Sequence, residues 1–293
     1  MPPLLRLARP HQYVKNGFVL VGPIFANDWT LGLGVKALFA FIAFCLMASA
    51  IYVANDIIDV EVDRAHPTKR NRPIASGEIS IGLAWRFALA LALGALALGA
   101  SLSIQALELL VFYGGVQYGY SMWWKHIVVL DVFLISVGFM VRIFMGTFGL
   151  GIRSSSWLVL CGLMVTLFLG FAKRRSELVL FEHRGPPAGQ STRKVLDDYS
   201  KAMIEQFMSI SAACAILAYS LYTVAPDTVA RHHTSYLFLS VPFVIYGIFR
   251  YLYLLHEARY GTDAARELFQ DRHLLVTAIA WLVVVILVLV VRP

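Results

Sequence analysis

Apolar residues run in long blocks along this chain, broken by short polar stretches. The blocks lie near residues 16–27, 36–55, 80–101, 104–122, 127–150, 156–172, 202–224, 235–255 and 273–291. A helix that crosses a bilayer needs about 20 apolar residues, and all but the first block approach or exceed that length. The first is short and is interrupted by Gly22-Pro23. In lipid every backbone polar group must be satisfied internally, which leaves helices or closed barrels. These blocks are too long and unbroken for barrel strands. The pattern predicts an all-α, polytopic membrane protein with about nine transmembrane helices, forming a single domain over 1–293. Its polar residues gather in loops at about 56–79, 122–127, 173–201 and 256–272. Ala84 to Ala100 is rich in Ala and Gly, and small residues allow close helix contact, so this span is expected at the centre of the bundle.

Composition removes the alternatives. Of 293 residues 59% are apolar and 15% charged, and the mean hydropathy is +0.69. A soluble domain carries about 25% charged residues. Disordered chains are poor in aromatics, whereas 13% here are Phe, Trp or Tyr. Cys45, Cys161 and Cys214 all sit in apolar runs and read as small core residues. The first twelve residues lead into an apolar stretch continuous with the body of the protein, so no cleavable signal peptide is expected.

Charge sets the orientation. Lys36, Arg153, Arg231 and Arg292 fall on one side of the predicted spans, and Arg86 and Arg142 within them. The other nineteen of the 25 Lys and Arg fall on the side of the N-terminus. This asymmetry predicts a plasma-membrane protein with its N-terminus and even-numbered loops in the cytoplasm.

The densest chemistry follows the second block. It reads Asn55-Asp56-Ile57-Ile58-Asp59-Val60-Glu61-Val62-Asp63-Arg64. On a helix Asn55, Asp59 and Asp63 share a face, with Asp56 beside them. Carboxylates this close repel unless something positive lies between them. They also oppose the helix dipole, so a merely solvated acidic end would be costly. Hard oxygen ligands suit Mg²⁺, which binds through one or two carboxylates plus substrate phosphates. Lys69, Arg70 and Arg72 follow directly, placed to clamp phosphate oxygens.

From Asn55 to Gly77 the chain resembles the UbiA superfamily of intramembrane prenyltransferases. The matching signature is NDxxDxxxD followed by Arg64, Pro67, Lys69, Arg72-Pro73 and Ser76-Gly77. The likeness extends to Tyr120-Ser121 and Lys125, and to Asp131, Gly138-Phe139 and Arg142 through Gly146. It implies nine helices around a cavity open to lipid. Most members carry a second DxxxD motif after the sixth span, where this chain reads Lys173-Arg174-Arg175-Ser176-Glu177. Asp197-Asp198 lies about twenty residues on and lacks the spacing. That departure, with Arg9-Pro10-His11-Gln12-Tyr13-Val14-Lys15-Asn16 and the Arg266, Asp271 and Arg272 stretch, looks like the decaprenyl-phosphate phosphoribosyltransferase branch.

The resemblance implies Mg²⁺-dependent transfer of 5-phosphoribosyl from phosphoribosyl diphosphate to a polyprenyl phosphate, in supply of cell-wall arabinan. Asn55, Asp56, Asp59 and Asp63 would hold the metal, with Asp56, Asp59 and Asp63 as the catalytic acids. Lys15, Asn16, Arg64, Lys69, Arg72, Tyr120, Lys125, Arg142, Lys173, Arg174 and Glu177 would meet substrates. The chemistry agrees. One carboxylate site can neutralise a diphosphate, while two further phosphates need the cations of 173–175, and a second acidic pair would repel them. A charge such as Arg142 inside an apolar span is functional by default. Lys15 and Lys125 could also serve as interface anchors, and Trp123-Trp124 reads as an aromatic belt. His232-His233 reads as loop. Arg175 faces away from Lys173 and Arg174 on any helix. The partners implied are the sugar donor, the lipid acceptor and the membrane, with no nucleic acid, and homo-oligomerisation stays open. An aromatic prenyltransferase acting on a 4-hydroxybenzoate-like acceptor is the alternative. A transporter is disfavoured, because no paired interrupted helices appear in two corresponding halves.

Overall fold

The computed structural model describes residues 2–26, 30–67, 69–184, 198–257 and 270–290. Among them every regular element is helical. The α-helices are α1 (Pro3–Ala8), α2 (Val21–Ile24), α3 (Leu31–Ile58), α4 (Val60–Ala65), α5 (Ile81–Leu102), α6 (Ile104–Met122), α7 (Leu130–Gly146), α8 (Ser156–Arg184), α9 (Lys201–Val224), α10 (Pro226–His232), α11 (Val241–His256) and α12 (Arg272–Val290). Asp197, Arg266 and Arg292 lie outside the described residues.

Seven stretches are long and apolar enough to cross a membrane: Leu31–Ile58, Ile81–Leu102, Leu130–Leu150, Ser156–Val179, Lys201–Val224, Tyr236–His256 and Arg272–Val290. The chain is a multi-pass membrane protein, and these stretches coincide with seven of the nine predicted spans. The other two differ. The α6 helix is long enough but carries Gln105, Glu108, Gln117 and three tyrosines. The block at 16–27 holds a 3₁₀ helix, Pro10–Leu20, and the single turn α2. Pro23 lacks an N–H and cannot extend a regular ladder. The count of nine is therefore not established.

Sequence sets the helix starts. Thr30, Ser80, Ser103 and Ser200 cap α3, α5, α6 and α9, each side chain accepting from a backbone N–H three residues on. Such a side chain satisfies one of the four donors that a helix start leaves open.

The chain divides into two compact units. The first comprises 1–134, 141–153 and 184–195, and the second 135–140, 154–183 and 196–293. Within the first, α3 is the central helix, with 56% of its apolar window buried against 17% for α5. The Ala-rich α5 was expected at the centre and is peripheral. Of its residues only Ala84, Ala88, Ala95 and Gly99 are buried, while Ala90 and Ala97 are exposed along with Leu83, Trp85, Leu89 and Leu93. Leu7, Val53, Ile57, Val60, Ile74, Ile79, Ala84 and Ala88 form one core cluster, tying α1, the α3–α4 junction and the following loop to α5.

The N-terminal segment lies on α3. Ser49 donates to the Ala8 carbonyl at 2.8 Å, and the Tyr13 and Ser49 hydroxyls are 2.9 Å apart. It also meets the end of α7, where backbones touch. A Cβ on Gly146 would lie 1.8 Å from the Val19 carbonyl oxygen, and one on Gly22 would lie 2.0 Å from that of Gly146. Gly146→Ala is expected to destabilise by about 1–3 kcal/mol, the usual cost of overpacking. A melting curve of the detergent-solubilised variant checks this.

Within the second unit the Tyr219 hydroxyl lies 2.7 Å from Ser240 Oγ and accepts from Trp281 Nε1 at 2.9 Å. His232 was read as loop. It ends α10, is buried, and sits 3.4 Å from the Tyr222 hydroxyl. Burial, then the neighbouring Arg231 and His233, push its pKa down to about 4. The ring therefore stays neutral at physiological pH.

Candidate active site

The acidic segment straddles a break in the helix. Asp59 ends α3 with φ −88° and ψ 8°, and α4 resumes at Val60. The Asp59 N–H still reaches the Asn55 carbonyl at 2.9 Å, and the Asp63 N–H that of Asp59 at 2.8 Å. The chain thus kinks without unwinding. The side chains that turn inward are Asp56 and Asp63, 4% and 2% exposed. Their seven-residue separation is close to two helical turns. Asn55, Asp59 and Asp63 stay in helical register through these backbone bonds, Asn55 and Asp59 half-buried and Asp63 buried. Asn55 Oδ1 accepts from Ser121 Oγ at 3.0 Å, which fixes its amide against the end of α6.

Arginines close the carboxylates. Arg72 Nη1 donates to Asp56 Oδ1 at 3.0 Å and to Asp63 Oδ2 at 2.6 Å. Arg9 Nη2 donates to the same Asp56 oxygen. Arg9 has φ 53° and ψ 58°, and its guanidinium carbon lies 5.3 Å from the centroid of the Tyr52 ring, one turn before Asp56. A tight turn holds Arg72 in place. The Ser76 N–H bonds the Arg72 carbonyl at 2.8 Å, and the Ile79 N–H that of Pro73 at 3.0 Å. Gly77 supplies the φ of 83° that the turn needs, a conformation open to glycine at no steric cost.

A second buried charge lies deeper in the same unit. Arg142 is 5% exposed. Its Nε donates to Asn16 Oδ1 at 2.8 Å and its Nη2 to the Tyr113 hydroxyl at 2.9 Å. The guanidinium sits 4.9 Å from the ring centroids of both Phe44 and Tyr113. Asn16 in turn donates to Cys45 Sγ at 3.2 Å. Aromatic faces and directed acceptors are how a charge is tolerated at such depth. Asp131, at the start of α7, is fully buried.

The cationic triplet belongs to the second unit. It was expected in a loop, but α8 continues unbroken from Ser156 to Arg184, so the three side chains point apart. Lys173 is exposed. Arg174 is fully buried and pairs with Glu177. Arg175 donates to Glu205 at 3.0 Å and to the Leu255 carbonyl at 2.7 Å, tying α8 to α9 and α11. Arg175 is therefore a structural strut; like Arg174 it is buried, and Lys173 is the exposed member of the three.

Asp271 caps α12. It accepts from the Leu274 N–H at 2.9 Å and takes a two-pronged contact from Arg250, at 3.2 and 2.8 Å. The Arg250 bond, chiefly, and the Leu274 N–H hold its carboxyl below the usual range, against the opposing effect of burial. A depressed carboxyl pKa stabilises above the ordinary value and loses that stabilisation as pH falls through the folded one. Asp271→Asn keeps an N-cap acceptor but loses the charge that pairs with Arg250, and is expected to lower stability by about 1 kcal/mol. The gap in Tm from the wild type should be steady above about pH 5 and close below about pH 4.

Among the other expected site residues, Lys15 bonds Gln12 at 2.6 Å and Arg64 pairs with Glu61 on the surface at 2.8 Å. Lys69, Tyr120 and Lys125 are half-buried. Trp123 is exposed, as a belt residue should be. Among the described residues, no three His, Cys, Asp or Glu side chains converge to hold a metal ion. Arg9, Tyr113 and Glu205 were missed as site or support residues. The signal for Tyr113 was a polar ring in an apolar block, and the signal for Arg9 was its place in the RPHQYVKN run.

The profile of the UbiA prenyltransferase family matches residues 17–276. A decaprenyl-phosphate phosphoribosyltransferase of Corynebacterium glutamicum is 34% identical over 99% of this chain and 87% of its own length. Its namesake from Mycolicibacterium smegmatis is 33% identical over 95% of this chain and 90% of its own. Among solved structures, a UbiA homolog from Archaeoglobus fulgidus, described as bound to GPP and Mg²⁺, superimposes with a TM-score of 0.71 at 15% identity. That match covers 99% of this chain and 100% of the other. The chain belongs to the UbiA prenyltransferase family.

Proposed function

We propose that the chain transfers 5-phosphoribosyl from phosphoribosyl diphosphate to a decaprenyl-type polyprenyl phosphate, releasing pyrophosphate. One contrast carries the reading. The first unit buries two carboxylates at the end of α3, whereas the corresponding stretch of α8 carries Lys173, Arg174 and Arg175 in place of a second acidic pair. A prenyl diphosphate and an aromatic acceptor present one diphosphate. The proposed substrates present three phosphate-bearing groups, and a second acidic pair would repel the two that a single acidic site cannot serve. The names of the relatives, matched over almost the whole chain, support the same reading.

The donor set fits a divalent metal. Arg72 Nη1 already holds a positive charge between Asp56 and Asp63, and two carboxylates plus phosphate oxygens are the usual environment of Mg²⁺. Asp56 and Asp63, with Asn55 and Asp59 beside them, would hold the ion. When bound, it supplies charge neutralisation to the departing diphosphate.

The chain's own residues do the rest. Arg72 and Lys69, next to the acids, bind phosphate oxygens of the donor. Ser121 keeps the Asn55 amide oriented. The buried carboxylates also favour positive charge developing at ribose carbon 1. The lipid phosphate is an anionic nucleophile and needs no general base. Lys173, exposed on α8, is the candidate cation for a further phosphate, whereas Arg174 is fully buried against Glu177. The excess of Lys and Arg on one side supports a cytoplasmic orientation for this chemistry.

Ligand-dependent melting of the purified protein tests the donor. Phosphoribosyl diphosphate with Mg²⁺ should raise the Tm by several degrees, and geranyl diphosphate by much less. Stabilisation by geranyl diphosphate alone would support the aromatic prenyltransferase instead.

A further inference from the structure

We infer that Arg9 is a diphosphate-binding residue, the guanidinium that Asp56 hands to the donor when its carboxylate takes a metal ion. The inference rests on reading the end of α3 as a metal–diphosphate site. Asp56 Oδ1 accepts from both Arg9 Nη2 and Arg72 Nη1. A carboxylate oxygen has two lone pairs, so both are engaged. A metal ion bound there competes with one of the two guanidinium groups.

The two arginines are not equally placed to yield. Arg72 also holds Asp63 at 2.6 Å and is fixed by the turn through Ile79. If it leaves Asp56 it still has a carboxylate. Among the described residues, the ion pair of Arg9 is with Asp56. Its side chain is 25% exposed, and it rests on the Tyr52 ring.

The backbone of Arg9 is fixed while its side chain can swing. Its N–H bonds the Arg6 carbonyl at 3.3 Å and its own carbonyl accepts from Gln12 at 2.9 Å. The Ala8 carbonyl is held by Ser49. A positive φ is uncommon outside glycine, and such residues cluster at ligand clamps. Charge completes the argument. Two carboxylates balance two guanidinium groups. A divalent ion then leaves a surplus of two positive charges, which a diphosphate satisfies. The planar fork of a guanidinium suits phosphate oxygens as well as carboxylate. Arg9 thus guards the acidic pair against free metal and rewards metal that arrives with a diphosphate.

The test is a pair of affinities, measured by titration calorimetry on full-length protein in detergent. One is for Mn²⁺ alone, the other for pyrophosphate in saturating Mg²⁺. In Arg9→Gln, Mn²⁺ alone should bind several-fold tighter, because a competitor is gone. Pyrophosphate should bind at least tenfold weaker, with the Tm within a few degrees of wild type. Arg9→Lys keeps the ion pair but not the fork, and should weaken pyrophosphate less at unchanged Tm; it carries the test if Arg9→Gln does not fold. Unchanged pyrophosphate affinity, or a joint fall of both affinities with Tm, makes Arg9 a strut and overturns the inference. Wild-type protein that binds no pyrophosphate in Mg²⁺ would overturn the site reading itself.

Discussion

Asp56→Asn is expected to lower kcat/KM for phosphoribosyl transfer by at least about 10³-fold, or about 4 kcal/mol of transition-state stabilisation. The Tm should stay close to wild type. Asn keeps the volume of Asp and its carbonyl oxygen can still accept from Arg9 and Arg72, so the packing at the α3–α4 kink survives. What it loses is the negative charge that would hold a divalent ion against a diphosphate. Asp59→Asn should likewise abolish turnover while the protein folds. Near-normal activity in Asp59→Asn would remove that half-buried carboxylate from the metal set. Near-normal activity in Asp56→Asn would remove the metal site altogether.

Arg142→Met should be severe for a different reason. It removes a charge from an apolar span, a gain in isolation, but strands Asn16 Oδ1 and the Tyr113 hydroxyl, which Arg142 now serves at 2.8 and 2.9 Å. Each buried polar group left unpaired costs about 1–3 kcal/mol. Activity should fall by at least about 100-fold, or about 2.7 kcal/mol, and the Tm should fall with it. Arg142→Lys keeps the charge but cannot donate in two directions or stack between Phe44 and Tyr113. It should recover the fold better than the activity. Residues that act as a unit are not additive, so adding Asn16→Ala to Arg142→Met should cost little more than Arg142→Met alone. A full additive loss would show that Asn16 acts independently.

The membrane class and most of the helices were legible because lipid imposes a simple rule on backbone polar groups, and blocks such as 273–291 obey it with almost no exceptions. The Asp-rich end of α3 was legible because so many like charges in two turns need an explanation. Three features were not. Periodicity put Asn55, Asp59 and Asp63 on one face, but it did not single out Asp56 and Asp63 as the two buried carboxylates. The Ala and Gly of α5 signalled close packing for Ala84, Ala88, Ala95 and Gly99, yet they run round the helix, and Ala90 and Ala97 are exposed with the leucines. The polar run Lys173-Arg174-Arg175 looked like the end of a span. It continues as helix because Arg174 and Arg175 find Glu177 and Glu205, partners that a linear reading cannot assign. Arg9 was hidden for the same reason, since its contact with Asp56 joins positions 47 residues apart.

The most direct test of the central claim is turnover by purified protein in Mg²⁺ with two substrate pairs. One is radiolabelled phosphoribosyl diphosphate with decaprenyl phosphate, the other a prenyl diphosphate with 4-hydroxybenzoate. Label is expected to move into the lipid fraction from the first pair, with one pyrophosphate released per transfer, and the second pair should give no product. Product from the second pair alone would contradict the account.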